Sequence, residues 1–317
     1  MRATGHWQAW RHNAEHRGVP AEVIAEITRE HQFCEADFRA LETMEQIIDP
    51  DGKSFFLVPT STDGDDARAA VLMTYVINAG TGYGRTDREP TDFRETPYSS
   101  TEISRVIHRQ QRNRWTYHQD VAFVNRNGGR LVTTPNGILM GVGGNWVQRA
   151  FSQQGGTAWG DIFMVNIKTP DPAQQLRRIV RSGHAWYSDK HGKPCESGLD
   201  LDRVLHHEEL HCRQWADNGY AGMITAYLWE ALRDKVFGKT NRLEQAAGRQ
   251  PVEVRMFSSP FILQIEPALD LFGMRPTRHR EIRERPAGSV KSFGLKDNRD
   301  RTASHVPREF GEGLCPD

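Results

Sequence analysis

Apolar positions follow two different periods along this chain, and the switches between them divide it. Val23, Ile24 and Ile27 follow Pro20 at helical spacing, and Phe38, Leu41, Glu45 and Ile48 extend a second helical pattern to Asp49-Pro50. Ala67 to Asn78 predicts a third helix ending at Gly80. Ser99-Ser100-Thr101-Glu102 is a capping box that opens a fourth, carrying Ile103, Val106 and Ile107. From Asp120 the texture changes. Val121-Ala122-Phe123-Val124 and Arg130-Leu131-Val132-Thr133, joined through Asn127-Gly128-Gly129, predict a hairpin, and Ile138 to Val142 a further strand. Trp159 to Ile167 is a β-rich run closed by Thr169-Pro170-Asp171-Pro172.

Helical spacing then returns. Asp200 and Asp202 sit where carboxylates favour a helix start, and the helix they lead runs from Arg203 to about Asp217, where Asn218-Gly219 supplies a left-handed stop. Met223, Ile224, Tyr227, Leu228, Ala231 and Leu232 form the core stripe of another helix, punctuated by Gly238. Beyond Gly273 the periodicity fades into a stretch rich in Arg, Pro and Gly. The pattern predicts an α+β chain in three parts: a mainly helical region at 1–115, a domain with a small, mostly antiparallel sheet and the Arg203–Asp217 helix at 116–272, and a poorly ordered tail at 273–317.

Composition narrows the function classes. The 317 residues carry 41 Lys+Arg against 41 Asp+Glu, so no global charge favours nucleic acid, an anionic membrane or an acidic substrate. No apolar run approaches membrane-spanning length, and Met1 to Trp7 opens no signal peptide. Cys34, Cys195, Cys212 and Cys315 lie far apart without zinc-knuckle spacing, so a reducing cytoplasm is the default expectation. Gly80-Thr81-Gly82-Tyr83-Gly84 and Gly141-Val142-Gly143-Gly144 match neither dinucleotide-binding nor P-loop spacing and are read as turns and close packing.

The sharpest chemical signal is His207-Glu208-Glu209-Leu210-His211, the pattern His-Glu-x-x-His. On a helix the two histidines stand one turn apart on one face, where two imidazoles can chelate one zinc and Glu208 can act as a base towards water. The alternative is a charged, solvated helix face, and 13 histidines in the chain raise the risk of an accidental match. A zinc hydrolase site needs three protein ligands and one open position. Glu244 is the leading third ligand, although Asn241 and Glu244 also fit a capping box that explains this Glu without metal. Asp217, Glu230 and His206 are fallback ligands. Tyr220, Tyr227, His184 and His191 are candidates for a second electrophile, and the sequence does not choose among them.

From Trp159 to Ala247 the chain resembles the gluzincin group of zincin metallopeptidases, and more closely small bacterial domains with a His-Glu-x-x-His core. The matching residues are Gly160-Asp161-Ile162-Phe163, His207 to His211, Gln214-Trp215, Gly219-Tyr220 and Asn241-Arg242-Leu243-Glu244. The resemblance implies a zincin-like fold over 116–272, Zn2+ on His207, His211 and Glu244, Glu208 as general base and a peptide or protein substrate. Glu209 departs from the uncharged residue usual at that position. Two rival classes stand beside a peptidase: a zincin-like module that binds without turnover, and an interaction protein acting through its basic tail.

Overall fold

The computed structural model describes residues 5–82, 96–144, 156–189 and 191–237, with the backbone alone for 224–237. The chain divides into two units, Met1–Ile265 and Glu266–Asp317, and every described residue lies in the first. The N-terminal half supplies helices α1 (His6–His16), α2 (Ala21–His31), α3 (Arg39–Glu42), α4 (Gly64–Ile77), α5 (Ser100–Arg112) and α6 (Val121–Arg126). Several of these ends were legible. Pro20 caps α2, and the Ser99 hydroxyl accepts from the Glu102 amide at 3.2 Å to open α5.

Six strands form one sheet: β1 (Glu45–Ile48), β2 (Ser54–Leu57), β3 (Gly129–Thr133), β4 (Leu139–Gly143), β5 (Gly156–Trp159) and β6 (Ile162–Val165). Their spatial order is β1-β2-β3-β4-β6-β5. Only the β4–β6 pair is parallel. Side chains alternate between two cores. Phe56, Leu131, Leu139, Ile162 and Met164 face the N-terminal helices, whereas Phe55, Leu57, Val132, Met140, Val142, Phe163 and Val165 face the other side. That second face is covered by α7 (Pro172–Ser182) and the start of α8 (Leu201–Phe237), with the hairpin β7 (His184–Ser188) and β8 (Pro194–Asp200) between them in sequence. Burial on both faces explains why β2, β4 and β6 read as largely apolar runs without a polar alternation.

Two expected elements differ. The helical pattern drawn through Ile48 stops at Glu42, and Glu45–Ile48 becomes an edge strand paired to β2, with Ile47 opposite Phe55. Two strands from the region expected to be helical thus share the sheet with strands beyond residue 116. The apolar run Val121–Val124 is helix, not strand: Val121 and Val124 are buried at i,i+3 spacing. The partner of β3 is β4, through a turn closed by Thr134 N to Ile138 O at 3.0 Å, with Gly137 at φ 69°. Asn136-Gly137 was the available hairpin signal.

The β5–β6 turn is tight. Gly160 sits at φ 58°, and a Cβ there would lie 1.9 Å from the Thr116 hydroxyl and 2.9 Å from the Trp115 ring. No side chain fits, and the next residue, Asp161, is fully buried. Helix α8 leaves the hairpin at Asp200 and kinks at Gly219 (φ 68°, ψ 167°), where the stop signal predicted an end. No described helix is long and apolar enough to cross a membrane.

Candidate functional site

His207 and His211 lie in the first segment of α8, four residues apart. Their Nε2 atoms stand 3.1 Å from each other, with ring centroids 4.7 Å apart and planes 84° apart. On the far side of His211, Nδ1 meets the Gln214 carboxamide oxygen at 3.0 Å. An amide oxygen only accepts, so Nδ1 carries the proton, and in the neutral ring Nε2 is left with its lone pair turned towards His207. Two nitrogens on one tetrahedral zinc, each about 2.0–2.1 Å from the ion, stand roughly 3.3 Å apart. The observed separation fits that geometry. It also fits an imidazole–imidazole hydrogen bond, so the third ligand decides between the two. Among the described residues no other His, Cys, Asp or Glu completes a three-ligand set with this pair, and Glu244 lies outside them.

The opposite side of the same turn, where Glu209 lies, is buried and charged. Glu209 is 3 % exposed, and Glu208, about 100° around the helix from His207, is 8 % exposed. Glu209 stands about 200° around the helix from His207. It takes Arg105 at 2.9 Å, Arg213 at 2.6 Å and Arg109 in direct contact. Arg109 Nε reaches Asp161 at 3.2 Å, while its other terminal nitrogen donates to the Gly137 carbonyl. Asp161 also accepts from Asn113 and Tyr117, each at 2.8 Å, and the same Asn113 amide donates to the Cys212 carbonyl at 2.9 Å. Helix α5 and its C-cap Asn113 thus present, with Arg105 and Arg109, a polar stripe that locks α8 to the β5–β6 turn.

Electrostatics follows from these partners. Burial works to raise the Glu209 pKa, but Arg109, Arg105 and Arg213 outweigh it and bring it to about 2. Burial equally opposes the Arg109 charge, and Asp161 and Glu209 hold its pKa above the ordinary value. The charged residue that departed from the motif is therefore an internal anchor turned away from the histidine face. Sequence reasoning missed Arg105, Arg109, Asn113 and Asp161. The available signal was the run of polar residues continuing the apolar stripe of α5 at three- and four-residue spacing.

The other expected residues scatter. His206 is buried beside the Glu209 network, and burial lowers its pKa against the pull of Glu209. Asp217 is exposed, and the side chains of Tyr227 and Glu230 lie outside the described ones. His184 pairs with Glu196 at 2.8 Å on the β7–β8 hairpin, and His191 sits in that hairpin's turn. Tyr220 joins an aromatic cluster with Trp115, Trp159 and Trp215, at centroid distances of 5.0, 5.8 and 6.1 Å. Burial and the nearby Asp120 push its hydroxyl up to about 12. Rings at these distances pack on one another. Among the described cysteines, Cys195 and Cys212 are free.

One described cluster has three carboxylates close enough to share an ion: Asp49, Asp51 and Asp202, within 4.8 Å. Its centre is already taken by the ammonium of Lys53, 3.7 Å from Asp49, 3.9 Å from Asp51 and in direct contact with Asp202. It reads as a buried ion pair joining the β1–β2 turn to the first turn of α8. Comparison with protein-family models, curated proteins and solved structures returned no match.

Proposed function

We propose that this chain is a zinc-dependent hydrolase of the gluzincin type that cleaves a peptide bond, with zinc on His207, His211 and Glu244 and Glu208 as general base. The observation that carries the reading is the convergence of two Nε2 atoms at 3.1 Å, with the His211 tautomer set from behind by Gln214. A zincin-like fold over 116–272, its sheet extended by β1 and β2 from before residue 116, and the ligand role of Glu244 belong to the same proposal.

Zinc held there would supply a Lewis acid and bring the pKa of water down to about 7. The chain's own residues do the rest. Gln214 keeps the His211 proton on Nδ1, so that Nε2 stays a donor of electrons. Glu208 takes a proton from the attacking water and hands it to the leaving amine.

Metal analysis of the purified chain tests this. About one zinc per chain is expected, lost in His207→Ala and in Glu244→Ala. Glu208→Gln should keep the metal and lose about 10²- to 10⁴-fold in hydrolysis. A wild-type chain that binds no zinc ends the proposal. Zinc retained in Glu244→Ala removes that ligand alone, and zinc without hydrolysis in the wild type points to a binding module.

A further inference from the structure

We infer that Glu209 is the positioning residue of the histidine helix, and that Arg105, Arg109 and Arg213 hold it so that His207 and His211 face a ligand contributed from elsewhere in the chain. The inference rests on the zinc reading above and assigns a task to the motif residue that departs from the usual uncharged one.

The geometry argues for more than adhesion. Glu209 uses both carboxylate oxygens: Oε1 takes Arg105 and Arg109, and Oε2 takes Arg213. Arg109 uses all three edges of its guanidinium, on Glu209, Asp161 and the Gly137 carbonyl. Arg105 continues to Glu102 at 2.8 and 2.6 Å. Three guanidinium groups thus balance three carboxylates contributed by α5, α8 and the β5–β6 turn. Apolar contacts would bury this face as well, but they are non-directional and tolerate roll of the helix about its axis. Forked guanidinium bonds do not.

Roll is the motion that matters here. The two histidines share a helix, so roll leaves their mutual distance unchanged and redirects both relative to every other element. With the ring nitrogens about 6 Å from the helix axis, a 10° roll moves them by roughly 1 Å. Metal–ligand distances tolerate only about 0.2 Å. A turn of α8 too small to disturb its burial would therefore take the pair out of reach of a third ligand. Trp215, one helical turn past His211, reports the same roll without metal, because its indole N–H donates to the Ala158 carbonyl at 3.1 Å on β5.

The test compares wild type with Glu209→Gln, which keeps the side-chain shape. Zinc affinity is measured by competition with a chelating dye, the Trp215 indole N–H shift by NMR on metal-free protein, and folding by circular dichroism. The expected result is a folded variant with zinc affinity lowered about 10- to 100-fold, as for other residues that orient metal ligands, and a displaced indole signal. If Glu209→Gln does not fold, Arg105→Gln replaces it; Arg105 is 29 % exposed and gives Glu209 only one of its contacts, so a smaller loss in the same direction is expected. A lower Tm with zinc affinity within about twofold of wild type and an unmoved indole signal overturns the inference and leaves the network a structural one. If the wild type binds no zinc, the proposed function falls separately. The indole shift alone then decides: displacement in the variant supports the positioning role, and an unmoved signal overturns it.

Discussion

Helix α8 carries two candidate metal centres, and they invert what ligand counting suggests. At its first turn, Asp202 meets Asp49 and Asp51 in a set of three carboxylates within 4.8 Å. One turn and a half further on, His207 and His211 offer only two described ligands. Yet the carboxylate set has a cation of its own in Lys53, which is 2 % exposed. Burial lowers the Lys53 pKa while Asp49 and Asp51 work to raise it. A divalent ion entering there would have to displace a buried ammonium. The histidine pair presents two ring nitrogens 3.1 Å apart, with no cation from the described residues between them, on a helix held from behind by its own ion network. What distinguishes the two is whether the charge is already balanced within the fold.

Removing that balance should convert one centre into the other kind. Lys53→Met leaves the buried Asp49 and Asp202 without their cation, with the exposed Asp51 beside them, which is expected to cost about 3–5 kcal/mol. Added Ca2+ or Mg2+ should recover part of this in the variant and leave the wild type unchanged, since carboxylate oxygens suit hard cations. Thermal unfolding with and without cation reads both. A wild-type Tm that rises with Ca2+ would mean that Lys53 does not close the site, and the contrast between the two centres would be lost.

The second contrast lies across α8 itself, between the histidine face and the Glu209 face. Glu209 has a folded pKa of about 2 against an ordinary 4.5. Its contribution is therefore complete above about pH 4.5 and is lost as pH falls through about 2. From the linkage of 1.36 kcal/mol per unit, that contribution is about 3 kcal/mol. The stability difference between wild type and Glu209→Gln, from urea unfolding at several pH values, should shrink by about this amount between pH 5 and pH 2. A difference that stays constant over that interval would show that the guanidinium groups do not hold Glu209 ionised.

These two faces were unequally legible in the sequence. The histidine pair, the α5 cap at Ser99 and the break at Gly219 depend on residues within a few positions of one another, so spacing exposed them. Glu209 looked like a misfit because its partners Arg105 and Arg109 lie about a hundred positions earlier, and only the packing of α5 on α8 brings them together. Val121–Val124 failed for a related reason. Its β-branched residues suit a strand, but burial against the N-terminal core selects the i,i+3 pair of a short helix. Asp161 was quoted only as part of a strand; Gly160-Asp161 is a local two-residue hairpin signal, but the burial of Asp161 follows from the packing of Arg109, Asn113 and Tyr117 onto that turn. Glu244 and the tail beyond Gly273 lie outside the described residues.

The smallest effect separates the histidine segment of α8 from the helix that follows it. Gly219 occupies φ 68° and ψ 167°, a region open almost only to glycine, and a Cβ added there would meet nothing within 4 Å. The cost of Gly219→Ala is thus one of backbone conformation alone, about 1–3 kcal/mol. His207 and His211 lie upstream of the kink and are anchored through Glu209 by residues of α5, so the two faces compared above should be unaffected in a variant that keeps the kink. The expected outcome is a lower Tm with an unchanged Trp215 indole N–H shift. An unchanged Tm would mean that the backbone at 219 is not constrained in the folded chain. A displaced indole signal would instead show that the orientation of the first segment depends on the kink as well as on the Arg105–Arg109–Glu209 network, and the division of α8 into an anchored segment and a separate one would have to be given up.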